Sequence, residues 1–237
     1  MHSSTSSGTD SSVIVKPLSD TATKRAQLYH FLELALAHPG EEGHDYFRRV
    51  SAEEEFLLAY GQAVGSEAEL AEKGGAAARA FFARFRTMSY EEVEAAHIGL
   101  FTNNYPHLPC PPYGSLFTAI DSEKRLAEML TIKEFYQQHG VDIADSFDDL
   151  PDHICVELEF LQLLCFRENE AAQASEADVV AGIQSAQAEF LDRFLLPFAS
   201  RLADIAIESV PQNCFSHLLD ATRFYLLAHR SQLGGTA

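Results

Sequence analysis

Apolar residues recur at helical spacing from residue 19 onward. Leu28, Phe31, Leu32, Ala35 and Leu36 form one stripe, and His38-Pro39-Gly40 then ends the first predicted helix. Ser51-x-x-Glu54 and Ser89-x-x-Glu92 each spell a capping box, in which two side chains satisfy otherwise unpaired backbone donors, so two more helix starts are expected. A helix over about 67–87 carries Leu70, Ala77, Phe81, Phe82 and Phe85, with Gly74-Gly75 as a weak point where it could split. The stretch 122–139 is closed by Gly140 at a left-handed capping position, and 141–150 reads as a loop. Helices follow at about 150–170, at 176–208 with an interruption near Pro197, and at 212–231, where Phe215, Leu218, Leu219, Thr222, Tyr225 and Leu226 keep the 3.6 period. No segment alternates as a strand does. The pattern predicts an all-α fold, a single globular domain of about eight or more helices over residues 19–235, behind a disordered tail at 1–18.

One stretch breaks the rhythm. Residues 102–114, TNNYPHLPCPPYG, hold four prolines in thirteen residues. Each removes an amide donor and restrains its neighbour, so a stiff, extended, exposed hinge between two helical halves is expected, a natural place for a binding edge.

The chain has 237 residues, of which 46% are hydrophobic and 22% charged, a balance that builds a core and excludes disorder for most of its length. With 17 Lys and Arg against 35 Asp and Glu, the net charge of −18 repels phosphate backbones and anionic lipid, so nucleic-acid and membrane-surface binding are not expected. The same field attracts a cationic partner. Cys110, Cys155, Cys165 and Cys214 form no CxxC and read as buried reduced thiols, which suits the cytoplasm. The N-terminal residues reach only Val13-Ile14-Val15, too short for an export leader, and no apolar run is long enough for a membrane span. Arg48-Arg49 precedes an acidic stretch and reads as a solvated helix face.

Candidate chemistry is sparse. Glu94-x-x-His97 is the unit that di-iron bundles use in duplicate, but the second copy, Glu41-x-x-His44, contains Gly43 at a helix boundary. Asp152, His153 and Glu157 cluster at the start of a helix, where Asp149 can cap, Pro151 fits the first turn and His153 can pair with Glu157. No Walker loop, GxGxxG, GxSxG or HExxH is present, so neither an enzyme nor a bound cofactor is expected.

Two stretches are more specific. Pro111-Pro112-Tyr113-Gly114-Ser115-Leu116-Phe117 carries aromatic-x-x-Leu-Phe, and Asp149-Leu150-Pro151-Asp152-His153-Ile154 follows, then Glu157-Leu158-Glu159-Phe160. In this order, within an acidic helical chain, they make the sequence resemble the TorD/DmsD/NarJ family of redox-enzyme maturation chaperones. The resemblance implies a TorD-like fold and a cytoplasmic chaperone for a molybdoenzyme catalytic subunit. Such a chaperone binds the subunit's twin-arginine leader and keeps it competent for molybdenum cofactor insertion before export. Residue by residue it carries over Pro112, Tyr113, Gly114, Ser115, Leu116 and Phe117 from the first signature, and Asp152 and His153 from the second. Where the family usually has Glu-Pro-x-Asp-His, this chain has Asp149-Leu150-Pro151-Asp152-His153, which shifts the proline and looks closer to the nitrate-reductase branch; mixed with the DmsD-like Pro112-Tyr113-Gly114-Ser115, it resembles the branch serving type II dimethyl sulfoxide reductase-like enzymes.

A twin-arginine leader presents guanidinium groups beside an apolar stretch, so its receptor needs acids next to an apolar groove. Tyr113, Leu116 and Phe117 are therefore expected to line the groove, with Asp152 and Glu157 receiving the basic end and His153 orienting them. The expected assembly is a monomer, or a dimer swapped across the proline-rich hinge. Two other readings stay open: a carboxylate-bridged metal protein built on Glu94 and His97, and a helical adaptor with an unrelated partner.

Overall fold

The computed structural model describes residues 19–104, 107–143 and 149–234. The tail expected at 1–18 and the middle of the 141–150 loop lie outside them. Among the described residues the secondary structure is helical, and the only β contact is an isolated bridge between Tyr113 and His153.

Two helices frame the site. α1 (Ser19–Leu36) buries Leu28, Leu32, Ala35 and Leu36 of the predicted stripe, while Phe31 is only half-buried and Tyr29, which the stripe did not include, is fully buried. It packs along α8 (Ile154–Gln173), whose Ile154, Leu158, Leu161, Leu164 and Cys165 face it and the core. The two run antiparallel: Arg25 lies 3.7 Å from Glu168, whereas the Glu33 carbonyl accepts from the Cys155 thiol at 3.8 Å. Each of these fully buried aliphatic or aromatic side chains contributes about 1.5–3 kcal/mol relative to exposure.

The remaining helices close the core. α2 (Glu41–Phe47) and α3 (Val50–Val64) lead to α4 (Ala68–Phe85), which packs along the C-terminal α11 (Cys214–Gly234). α4 does not split at its glycines. A Cβ on Gly74 would lie 1.6 Å from the Tyr60 hydroxyl, so this glycine lets the α3 side chain cross against the α4 backbone. α5 (Tyr90–Phe101) starts with the predicted capping box at Ser89 and Glu92. Ser51 caps nothing: α3 already begins at Val50, so the hydroxyl sits inside the first turn, where the neighbouring amides belong to the helix.

The proline-rich segment leads to the one-turn α6 (Ser115–Thr118) and to α7 (Ser122–Gln138). Gly140 takes the expected left-handed conformation at φ +70°, and the Arg167 guanidinium donates to the His139 carbonyl. α9 (Ala177–Phe190) runs into α10 (Leu196–Ser209) through a π turn at Leu191–Leu195. Pro197 offers no amide to the turn before it, and the wider turn absorbs that loss just upstream of the expected interruption. Beside this turn a buried polar network ties four helices together: His229 bridges the Tyr29 hydroxyl and Gln187, and Gln187 donates to Glu168.

Candidate functional site

The two sequence signatures meet at the N-terminal end of α8. Three hydrogen bonds clip them together: the Ile154 amide donates to the Pro112 carbonyl, the Gly114 amide to the Asp152 carbonyl, and the Ser115 amide to Asp152 Oδ2, each at 2.9 Å. The Tyr113 and His153 rings meet edge to face with centroids 5.2 Å apart. Gly114 packs closely here: a Cβ would come 3.3 Å from Glu157 Oε1, which would have to give by a few tenths of an ångström, and 3.5 Å from Phe198, an ordinary contact. The expected hinge is exposed in its first half, at Thr102, Asn103, Asn104 and His107, with residues 105–106 outside the described ones, and anchored in its second half, where Cys110, Pro112 and Gly114 are buried. The prolines stiffen the segment, but its small side chains pack into the body.

The start of α8 also differs from expectation. His153, not Asp149, is the N-cap, with Nδ1 accepting from the Cys155 amide, and Asp149 instead accepts from Leu150. Pro151 and Asp152 thus lie before the helix. His153 Nε2 faces Asp149 at 3.8 Å and does not pair with Glu157.

On one side of the clip, between the end of α1 and the start of α8, is a groove of about 610 Å³. Tyr113, His153, Pro112, Leu36, Phe101 and Ile154 supply its aromatic and apolar walls. Its charge comes from Glu33, Asp149 and Glu159, and its lining contains no lysine or arginine among the described residues. Burial raises the Glu33 pKa, opposed by His30, and nearby Glu159 pushes it further up. Burial also lowers the His153 pKa, against the pull of Asp149 and Asp152, so at neutral pH the ring adds little positive charge to the groove. Tyr113 bonds to Asp149, and burial together with that carboxylate raises the phenol's pKa.

Asp152 and Glu157 lie on the other side of the clip. They are 3% and 1% exposed and face a void of about 20 Å³ beside Gly114, Ser115 and Arg193. Asp152 Oδ1 and Glu157 Oε2 have no hydrogen-bond partner there, and burial raises the Glu157 pKa well above the usual carboxylate range, with Asp152 adding to it. Both carboxylates thus line this small void and not the groove. Phe117 packs on Phe198 with ring centroids 5.5 Å apart, and Leu116 is exposed; neither lines the groove.

The groove acids were missed by sequence reasoning. Glu159 is four residues from Cys155 on the exposed flank of α8, a position that helical periodicity does give. Glu33 reaches the site from α1, and nothing local announces that. Glu94 and His97 do not converge on a metal: the Tyr90 hydroxyl donates to Glu94, whereas His97 is buried against the Leu36 carbonyl. Among the described residues no group of three or more His, Cys, Asp or Glu is placed to hold a metal ion. Cys110, Cys165 and Cys214 are buried and unpaired as expected, and Cys155 is half-buried at the groove. Burial pushes the thiols of Cys110 and Cys214 up to about 12. No described helix is long and apolar enough to cross a membrane.

The fold is thus an all-α bundle that clips a proline-rich turn to a helix start, beside an acidic groove. The chain belongs to the nitrate reductase delta subunit family, whose profile matches residues 67–204 and so includes both signatures. It is also similar to the perchlorate reductase assembly chaperone protein of Dechloromonas aromatica (strain RCB), at 26% identity over 149 residues. That match covers 62% of this chain and 64% of the relative.

Proposed function

We propose that this protein is a non-enzymatic cytoplasmic chaperone that binds the twin-arginine leader of a molybdoenzyme catalytic subunit and supports cofactor insertion into it. Family membership and the assembly role named for the Dechloromonas relative support the class. The relative's client, an oxyanion reductase by name, favours a client of the type II subgroup. The observation that carries the leader-binding step is the groove itself: three carboxylates, no lysine or arginine among the described residues and an apolar wall, built against both signatures. Glu33, next to a like-charged Glu159, gains from a guanidinium that offsets their repulsion. Tyr113 and His153 shape the wall, while Asp152, Glu157, Gly114 and Ser115 hold it in place from behind.

Calorimetric titration with a synthetic peptide, two adjacent arginines followed by an apolar stretch, tests this reading. Glu33→Gln and Glu159→Gln should each weaken binding about three- to tenfold, an effect that fades as salt rises because the groove is partly open. Tyr113→Ala should lower affinity more than thermal stability. Unchanged affinity in the double carboxylate variant would remove the groove from the function.

A further inference from the structure

One face of α7 is covered and the other is open. Ile132, Phe135 and Tyr136 turn inward. On the opposite side Glu123, Leu126, Leu130 and Lys133, spaced three, four and three apart, form a single row. Leu126 and Leu130 are 56% and 53% exposed. Neither Glu123 nor Lys133 has a hydrogen-bond or ion-pair partner among the described residues. The helix also differs in charge from the chain around it. Glu123, Glu128 and Glu134 balance Lys124, Arg125 and Lys133, so it is neutral in a protein of net charge −18.

The row is complementary to itself when reversed. Positions 126 and 130 have their midpoint at 128, and so do positions 123 and 133. At a rise of about 1.5 Å per residue, the leucines lie about 3 Å, and the two charges about 7.5 Å, to either side of that midpoint. A two-fold axis there sets Leu126 on Leu130 of a second copy and Glu123 on its Lys133, each contact occurring twice. A parallel pairing would set Glu123 on Glu123 and Lys133 on Lys133. We infer that this face of α7 is a dimerisation surface whose occupant is a second copy of the chain, packed antiparallel with no exchange of elements. The reversed symmetry picks out that occupant, because an unrelated partner must complement the row but does not require the row to complement itself. Local neutrality lessens, at the contact, the repulsion that two chains of net charge −18 otherwise meet. The row is short, so the area buried falls below the roughly 1,200 Å² of standard complexes, and a weak, reversible dimer is expected, half-associated near about 0.1 mM. No α7 residue lines the acidic groove, so this inference stands apart from the leader-binding reading.

Sedimentation equilibrium of the full chain, from about 10 µM to about 1 mM, tests this. The wild type should show a monomer–dimer equilibrium. Glu123→Lys and Lys133→Glu should each weaken it about tenfold, since each turns two attractive pairs into two repulsive ones. Both changes in one chain should restore it. Mixing the two single variants, one of them fluorescently labelled, should restore it as a heterodimer, a rescue that a misfolded variant could not give. Leu126→Gln keeps helix propensity and should weaken dimerisation about tenfold, because its contact occurs twice. Leu58→Gln, at a similarly exposed leucine on α3, should dimerise like the wild type. A wild type that stays monomeric at the highest concentration overturns the inference. So does a dimer that ignores the charge changes, as one formed by exchange across the proline-rich segment would.

Discussion

Asp152 sits at the join between the two signatures, and its replacement separates a role in the frame from a role in the groove. Its Oδ2 accepts the Ser115 amide at 2.9 Å, and Ser115 is 5% exposed, so water cannot take over the donor. Asp152→Ala therefore leaves a buried amide unpaired, at a cost of about 1–3 kcal/mol. For a chain of this size each kcal/mol lowers the melting temperature by about 2–4 °C, so a fall of about 2 to 12 °C is expected. Asp152→Asn keeps an oxygen in the same place and should stay within about 1 kcal/mol of the wild type. Thermal unfolding followed by circular dichroism gives the first quantity, and titration with the arginine peptide gives the second. Asp152→Asn should bind that peptide within about twofold of wild type, because the carboxylate faces away from the groove. An asparagine variant that unfolds normally but binds about tenfold more weakly would refute this reasoning and return Asp152 to the direct contact its motif suggests. An alanine variant as stable as the wild type would show that the clip does not depend on this hydrogen bond.

Two further changes probe the frame. Glu157 is buried with a raised pKa, so between about 4.5 and that higher value the native state holds a proton that the unfolded state has lost. Its contribution is fully present at low pH and is lost as pH rises. Glu157→Gln, which cannot titrate, should therefore gain stability relative to wild type from pH 5 to 8 in urea unfolding, and a gap independent of pH would contradict the assignment. Gly74→Ala raises helix propensity by up to about 1 kcal/mol but puts a methyl group against the Tyr60 ring, where overpacking costs about 1–3 kcal/mol. The melting temperature should fall; a rise would mean that Tyr60 moves aside freely.

Much of the frame was legible because helix signals are local. The Ser89 box, the Gly140 stop and the α1 stripe each depend on residues within a turn or two; the first two appear as read, and the stripe does so except that Phe31 is half-buried and Tyr29 is in the core. Ser51 carried the same letters as Ser89, but the helix there begins earlier, and a capping motif cannot say whether the chain is already helical. Gly74-Gly75 looked like a break because propensity knows nothing of the tyrosine that needs the space. At the site the signatures named the right corner but not the right acids. Glu157 lies three residues after Ile154 and four before Leu161, both core positions, so periodicity already put it inside while its charge suggested the surface. Glu33 is more than a hundred residues from the second signature, and only the antiparallel packing of α1 on α8 brings it there.

The clip also bears on how the molecule opens. Ser115 and Asp152 are 37 positions apart, so their bond closes a long loop that contains α6 and α7. α7 is 17 residues long yet buries only Ile132, Phe135 and Tyr136. Such a segment has little holding it along its length and much holding it at its base, the profile of a unit that unfolds and refolds locally while the rest of the protein stays intact. The base of that handle is the wall of the groove. Slow exchange of the Gly114, Ser115 and Ile154 amides beside fast exchange in α7 would be its signature, and a ligand gripping Tyr113 would slow the handle as a whole without touching most of it.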